Sequence, residues 1–344
     1  MVIHVGIDLG TSTVKISYEG KKILIPSIIG EPNPGWEGMA LDSSLEHNLV
    51  VIDGSTEWYV GELARTQSEV KLPLAAEGQM KSAENTFMAI KAALALIMKS
   101  PEEEFIIATG VPVSTSIEAM KSLSRMLKGE LKIDVKNDNT AEKFHFKANL
   151  LKTLVMIEPY GTYFKTLKDK GEETAVDAVI IDIGHGTTDI LTMYQGRPMR
   201  TASGAIVEAT DTLTVRMAKA LQEKTGAIIK PFDLMSSIMK GKNQVMVSGK
   251  YYAIDELKTY YAKQISNIII DETLRLISTL PPDAFIEYYI ICGGGAYTFG
   301  DTIRSEIISR KLVAEGDKVV TPKDPVMSNA EGFELVAKTQ LESK

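Results

Sequence analysis

Three blocks of apolar residues, the second alternating with polar ones, open the chain: Ile3 to Leu9, Thr13 to Tyr18, and Lys22 to Ile28 after Glu19-Gly20. They predict three strands joined by tight turns. Glycine and proline then crowd Gly30 to Gly38, which predicts departure from this sheet into a small insertion. Within it, Val50 to Ile52 and Glu57 to Val60 flank Asp53-Gly54, a hairpin signal. Thr86 to Lys99 carries apolar residues at helical spacing and stops at Ser100-Pro101.

Phe105 to Ala108 reads as a short buried strand, followed by a turn at Gly110-Val111-Pro112 and a helix from Ser114 to Leu127. Leu131 to Val135 and Lys143 to Ala148 predict another hairpin, and Leu154 to Ile157 a separate strand. That strand leads to Glu158-Pro159-Tyr160-Gly161 and a connecting helix. The order then repeats. Val176 to Ile183 and Thr188 to Tyr194 predict a hairpin, Gln195-Gly196 a turn, and Met199 to Ala202 a third strand. Ser203-Gly204 introduces a helix over Thr210 to Lys224, ending at Thr225-Gly226. A second helix runs from Ile254 to Leu280 until Pro281-Pro282, and Ile286 to Ile291 is a strand delivering Gly293-Gly294-Gly295.

The 344 residues suffice for about two domains. With 44% apolar and 24% charged residues the composition is that of a soluble globular protein, and a net charge of -7 gives direct nucleic-acid binding no support. The single cysteine, Cys292, ends an apolar run and reads as a buried structural thiol, so neither an intrachain disulfide nor a Cys-based metal site is expected. The chain opens on a strand pattern without a signal-like segment, and its most apolar helical stretch, Met88 to Met98, is too short for a bilayer. A cytoplasmic protein without direct membrane attachment is expected.

The chemistry concentrates in two phrases of one type, DLGTST from Asp8 and DIGHGTTD from Asp182 to Asp189. Each has an acidic residue at the end of an apolar run, then glycine, then small hydroxyl residues. Turns built from Gly10, Thr11, Ser12 and Thr13, or from Gly184, Gly186, Thr187 and Thr188, can aim backbone N–H groups and hydroxyls at an anion without Cβ atoms in the way. Asp8 and Asp182 would repel a polyphosphate directly, so a divalent cation held through water is the natural mediator. Lys15 adds a positive charge near the first turn. Either phrase alone is as readily an ordinary hairpin turn; the pair suggests a clamp.

These residues resemble the actin-like ATPase superfamily, shared by actin, bacterial actins, heat-shock chaperones and sugar kinases, with the closest look to ParM-like and archaeal actin-homologue proteins. Asp8 to Lys15 matches its first phosphate motif, Glu158 to Gly161 the first connecting segment, Asp182 to Asp189 the second phosphate motif, Cys292 to Ala296 the adenosine motif, and Asn329 to Phe333 the second connecting segment. The resemblance implies a two-domain α/β fold: duplicated mixed-sheet domains with helices on the faces and a central nucleotide cleft. Domain I would comprise 1–160 plus 326–344 with an insertion at about 30–85, and domain II 161–325 with a helical insertion at about 205–285.

It further implies ATP or ADP with Mg²⁺ as ligands. Asp8 and Asp182 would hold the water shell of Mg²⁺ from opposite sides. Thr11, Ser12, Thr13 and Lys15 would contact the β- and γ-phosphates from one domain, and Gly184, Gly186, Thr187 and Thr188 from the other. Glu158 would orient the attacking water, assisted by Asp189. Gly293, Gly294 and Gly295 would let backbone approach the adenosine, and Gly204 resembles a second-domain glycine near the phosphates. Asp211, Arg216 and Lys219 are candidates for ribose or base contacts, against a plain solvated helix face. His185 departs from the family pattern; it either approaches the phosphates or faces solvent from the turn.

The resemblance implies an ATPase that self-associates into cytoskeletal filaments for DNA segregation or cell organisation, reaching its cargo through an adaptor protein. A chaperone would need a long C-terminal extension after the Asn329 motif. A small-molecule kinase would need an acidic base, and Asp134 and Asp138 lie in or beside an expected hairpin turn. A non-polymerising regulatory ATPase of the same fold stays open.

Overall fold

The computed structural model describes residues 2–35, 38–74 and 83–339. The chain divides into two compact units, one of residues 1–165 with 327–344 and the other of 166–326. Parts of the first insertion and the last five residues of the sequence-predicted domain I lie outside the described residues.

Unit 1 opens with β1 (Val2–Leu9), β2 (Thr13–Tyr18) and β3 (Lys21–Pro26), an antiparallel meander. Glu19 and Gly20 both take positive φ in the second turn, which suits the twist of a two-residue hairpin. After β4 (Ile28–Gly30) come the hairpin β5 (Leu49–Asp53) and β6 (Thr56–Val60), a short helix α1 (Glu62–Gln67) and β7 (Lys71–Pro73). Helix α2 (Ala83–Ile97), strand β8 (Glu102–Val111), helix α3 (Ile117–Met126), strands β9 (Gly129–Asn137) and β10 (Lys143–Ile157), and helix α4 (Tyr160–Lys170) follow. All ten strands form one sheet in the order β3-β2-β1-β8-β10-β9-β5-β6-β4-β7.

Two expectations are corrected here. The insertion does not leave the sheet: β5 pairs with β9, Leu49 opposite Asn137, so the insertion continues the sheet along the edge that β9 would otherwise expose. The hairpin strand at Lys143 and the strand at Leu154 are a single strand, β10, whose register shifts between Leu150 and Lys152. The bulge falls in the gap left between the two expected strands. The sheet's core helix is α2. Ala89, Ile90, Ala92, Ala93, Leu94, Ala95 and Ile97 are all buried, so its apolar positions surround the helix as expected where neighbours cover every side, and it meets β1, β2, β5 and β9.

Unit 2 repeats the entry. Strands β11 (Ala178–Ile183) and β12 (Thr188–Tyr194) form its hairpin, followed by β13 (Arg197–Pro198) and β14 (Gly204–Ile206). Then come α5 (Thr210–Thr225), α6 (Pro231–Met239), the hairpin β15 (Gln244–Val247) and β16 (Lys250–Ala253), α7 (Asp255–Ile277), β17 (Tyr288–Cys292), α8 (Ala296–Ser309) and β18 (Val319–Val320). The sheet order is β13-β12-β11-β17-β18, with β14 also on β12. Leu213, Met217 and Leu221 of α5, Ile265 and Ile269 of α7, and Phe299 and Ile303 of α8 pack with the buried residues of β11 and β17.

The strand expected at Met199 to Ala202 is instead a short 3₁₀ turn over Arg200–Ala202. Side chains take over the bonding there: the Thr192 amide donates to Ser203 Oγ at 2.9 Å, and Thr192 Oγ1 donates to the Ala202 carbonyl at 2.6 Å. The insertion expected to be helical also holds the separate hairpin β15–β16, whose Ser248-Gly249 turn has both residues at positive φ.

The last described helix, α9 (Ser328–Thr339), belongs to unit 1 and lies on β1, β2 and β8. Its approach is too close for side chains at two crossings. A Cβ on Gly6 would sit 1.9 Å from the Ala330 carbonyl oxygen, and one on Gly332 would sit 1.8 Å from the Gly161 carbonyl oxygen. Ser17 Oγ donates to the buried Glu334 carboxylate at 2.6 Å, and Lys338 pairs with the same group at 2.5 Å.

Candidate functional site

In unit 1 the predicted residues gather at one end of the sheet. β1 and β10 both run parallel to β8 and flank it, so Asp8 near the end of β1 and Glu158 just after β10 share the carboxyl edge of parallel strands. Open α/β sheets bind ligands at that edge. Asp8 is only 3% exposed and lies opposite Lys15 across the hairpin; Lys15 Nζ donates to its carboxylate at 2.7 Å. A carboxylate so deeply placed needs a compensating cation, and Lys15 supplies one.

Gly10, Thr11 and Ser12 make the turn between the strands, with Thr13 beginning β2. Ser12 is exposed, while Thr11 and Thr13 are half-buried. The Ser27 amide donates to the Ser12 carbonyl at 3.0 Å and braces the turn. Glu158 is half-buried, its amide bonded to the Val111 carbonyl at 2.8 Å.

Unit 2 has a parallel arrangement of its own. Asp182 on β11 lies directly opposite Asp189 on β12, and the intervening turn is closed by the Gly184 amide donating to the Thr187 carbonyl at 2.8 Å. Thr187 Oγ1 reaches Asp189 Oδ2 at 3.4 Å. The Thr188 hydroxyl, expected among the anion contacts, is buried and donates to the Glu208 carbonyl at 2.6 Å, tying β12 to the segment before α5.

The same segment positions His185. The Asp211 amide donates to the His185 carbonyl at 2.9 Å, and Thr210 Oγ1 lies 3.4 Å from His185 Nδ1 and 3.1 Å from the Gly184 carbonyl. His185 is therefore a half-buried part of the joint between the turn and the start of α5, not a residue turned to solvent. Sequence reasoning missed Thr210 and Glu208; a hydroxyl residue opening α5 behind the Gly-rich turn is the signal that points to the first.

Arg216 pairs with Glu208 at 2.6 Å, and Lys219 is exposed further along α5. Asp211 is half-buried in the first turn of that helix. Gly204 lies within β14 opposite Ile190, with the α7 side chain of Leu276 in ordinary contact range of a Cβ there.

Strand β17 runs parallel to β11 and brings Cys292, fully buried, opposite Asp182. The glycines that follow have separate reasons for being glycine. Gly293 has φ 79°, and a Cβ on it would stand 2.3 Å from Asp182 Oδ1; one on Gly295 would stand 2.2 Å from Ile183 Cγ2. Both let the backbone close on the end of β11, where the Gly295 amide donates to the Ile183 carbonyl at 2.8 Å. Gly294 alone faces open space, with nothing within 4 Å of a Cβ.

Residues 6–161 match the family model "Actin like proteins N terminal domain", and residues 180–305 match "Archaeal actin homologue MreB-like, C-terminal". Among solved structures, the archaeal actin homologue Ta0583 is 19% identical with a TM-score of 0.79, over 98% of this chain and 99% of that one. Its complex with ADP is 20% identical with a TM-score of 0.76, again covering 98% and 99%. A ParM from a 15-stranded filament of Clostridium botulinum is 19% identical with a TM-score of 0.75, covering 98% of this chain and 99% of that one. No curated protein matches the sequence. At such identities the structures share the fold. Among the described residues no helix is long and apolar enough to cross a membrane.

Proposed function

The chain belongs to the actin-like superfamily, and on that premise we propose that it binds Mg-ATP, hydrolyses it to ADP and phosphate, and assembles into nucleotide-dependent filaments. The observation that carries this reading is the repeated clamp. Each unit places an aspartate one residue before the end of a buried strand, follows the strand with a glycine and hydroxyl turn, and returns as an antiparallel strand. The ADP-bound archaeal actin homologue and the Clostridium botulinum ParM filament share the fold and support the ligand and the assembly.

In this reading the turn amides and the hydroxyls of Thr11, Ser12, Thr13 and Thr187 cradle the β- and γ-phosphates. Lys15 would share its N–H donors between Asp8 and the phosphates. Asp8 and Asp182 would hold the hydration shell of magnesium, which tolerates one or two carboxylates and keeps its other waters. The bound metal supplies neutralisation of the charge on the transferring phosphoryl group. Glu158 orients the attacking water, with Asp189 in support, since positioning accounts for most of the catalysis in such transfers. Gly294 is where backbone can approach the adenosine without a side chain intervening.

A kinase would need an acidic base toward an acceptor hydroxyl. Asp134 instead pairs with His145 at 2.7 Å, and Asp138 accepts from the Tyr59 hydroxyl at 3.1 Å. The filament reading places the protein in the cytoplasm, with cargo reached through an adaptor. It is tested by Glu158→Ala, expected to slow phosphate release at least tenfold, by about 1.4 kcal/mol or more of barrier, while ATP still binds. Normal turnover in that variant removes Glu158 from its role. Asp182→Ala is expected to raise the magnesium concentration needed for turnover.

A further inference from the structure

The two insertions carry opposite charge. Residues 31–69 hold eight acidic residues and one arginine, whereas residues 224–253 hold five lysines and one aspartate, within a chain of net charge -7. Each charged segment also exposes apolar side chains.

On the acidic side, Leu41 is 106% exposed and Met39 67%. The loop presenting them is firmly built. Asn139 grips Ala40 from both sides: its side-chain oxygen accepts from the Ala40 amide at 3.1 Å and its amide donates to the Ala40 carbonyl at 2.9 Å. Asn48 donates to the carbonyls of Asp42 and Ser44, both at 2.8 Å, and Asn137 to that of Ser43 at 2.9 Å. Two apolar side chains held outward on either side of a clamped alanine form a preorganised knob, which has little ordering entropy left to lose on binding.

On the basic side, α6 and the β15–β16 hairpin enclose a cavity of about 580 Å³ lined by Phe232, Ser236, Lys242, Gln244, Met246 and Tyr251. Met246 and Tyr251 are cross-strand partners, and both are exposed, as is Phe232. Lys240 and Lys250 are exposed beside it. The groove is lined mostly by polar residues, Asp233 among them, but the exposed apolar side chains of Phe232, Met246 and Tyr251 with a lysine rim fit an apolar tip on an acidic base.

We infer that the Met39–Leu41 knob of one copy seats in the α6–hairpin groove of a second copy, with the acidic insertion against the lysine rim. This rests on the reading that the chain assembles. Because knob and groove are different patches, the contact is heterologous and can propagate into an open filament. A concave site favours a protruding protein segment over a flat bilayer, and the acidic remainder of the chain would oppose an anionic lipid surface.

Cys292, the chain's one cysteine, is fully buried, so engineered surface thiols can report the contact. Full-length Leu41→Cys and Tyr251→Cys proteins are mixed, with and without ATP, and treated with a short bismaleimide; Leu41→Cys mixed with Ile308→Cys is the control, and wild-type pelleting is followed in parallel. The expected result is a cross-linked dimer well above the control, lost to the control level when Lys240→Glu and Lys242→Glu are added to the Tyr251→Cys partner, and weakened by salt. Pelleting without the cross-link overturns the contact and leaves the filament reading standing. The cross-link without pelleting upholds the contact and removes the filament reading, and absence of both removes both. Binding of the wild type to phosphatidylglycerol vesicles through Lys240 and Lys242, with no cross-link, overturns the contact in favour of a membrane.

Discussion

Gly293 and Gly294 are adjacent and differ in what constrains them. At Gly293 a side chain meets both an unfavourable φ and the Asp182 carboxylate, so Gly293→Ala is expected to destabilise unit 2 by about 1–3 kcal/mol in thermal or denaturant unfolding. Gly294→Ala is expected to leave unfolding unchanged while weakening ADP binding in calorimetric titration, because a Cβ there meets nothing within 4 Å and would face only the proposed ligand. Equal stability losses for both would contradict the assignment. The sequence showed that three glycines were needed but not that two serve the packing of β11, since the demand comes from a strand distant in sequence. His185 was illegible for the same reason: its position is set by Thr210 and Asp211. At His47 the hydrogen bond to Asp42 raises the imidazole pKa above its ordinary 6.5, with burial opposing and Glu46 and Glu62 adding to the rise. The Ser44 amide, followed by His47, holds the Asp42 carboxyl down at about 2. The raised group contributes fully below about pH 6.5 and loses its contribution as pH climbs through its folded pKa. The depressed one contributes above about pH 4 and loses it as pH falls toward 2. The pair is thus complete between these limits, and an NMR titration should place the His47 midpoint above 6.5 and return it toward that value in Asp42→Asn.

Among the elements, α9 depends most on one residue. Gly332→Leu would drive a side chain into the Gly161 backbone, and a loss of about 2–4 kcal/mol in urea unfolding is expected, the overpacking being against main chain that cannot rotate away. An unchanged unfolding midpoint would mean that the crossing is looser than described. The hairpins were legible because apolar runs of strand length flank turn glycines, as at β1–β2, β5–β6 and β11–β12. The continuity of β10 was not, because its bulge shifts the register in mid-strand and breaks the strand pattern there. Nor was the β15–β16 hairpin, whose strands have four residues each and only one turn signal, Ser248-Gly249, between long helices. The strand expected at Met199 to Ala202 is split between β13 before it and β14 after it, because between them the hydroxyls of Ser203 and Thr192 replace ladder bonds that sequence patterning assigns to backbone.

At the scale of the whole molecule, duplication is the organising fact: two units, each with an aspartate next to the end of a strand, a Gly-rich turn and a parallel neighbour at the same sheet edge. Fold and motif order were legible because the two phrases repeat with their flanking strands. The proposed contact surfaces between copies were not, because they would arise from exposed side chains on insertions whose charge asymmetry has meaning only beside the exposed Met39–Leu41 loop and the α6–hairpin groove. The proposed nucleotide-dependent assembly would link the scales, since the phosphate turns would favour one conformation and the insertions one neighbour. The most direct measurement is high-speed pelleting of the purified wild type over a concentration series with ATP, ADP or no nucleotide, with phosphate release followed in the same samples. A critical concentration that is lower with ATP than with ADP, and phosphate release that accelerates once assembly begins, is the predicted result. Protein that remains in the supernatant at every concentration, with phosphate release unchanged across the series, would contradict it.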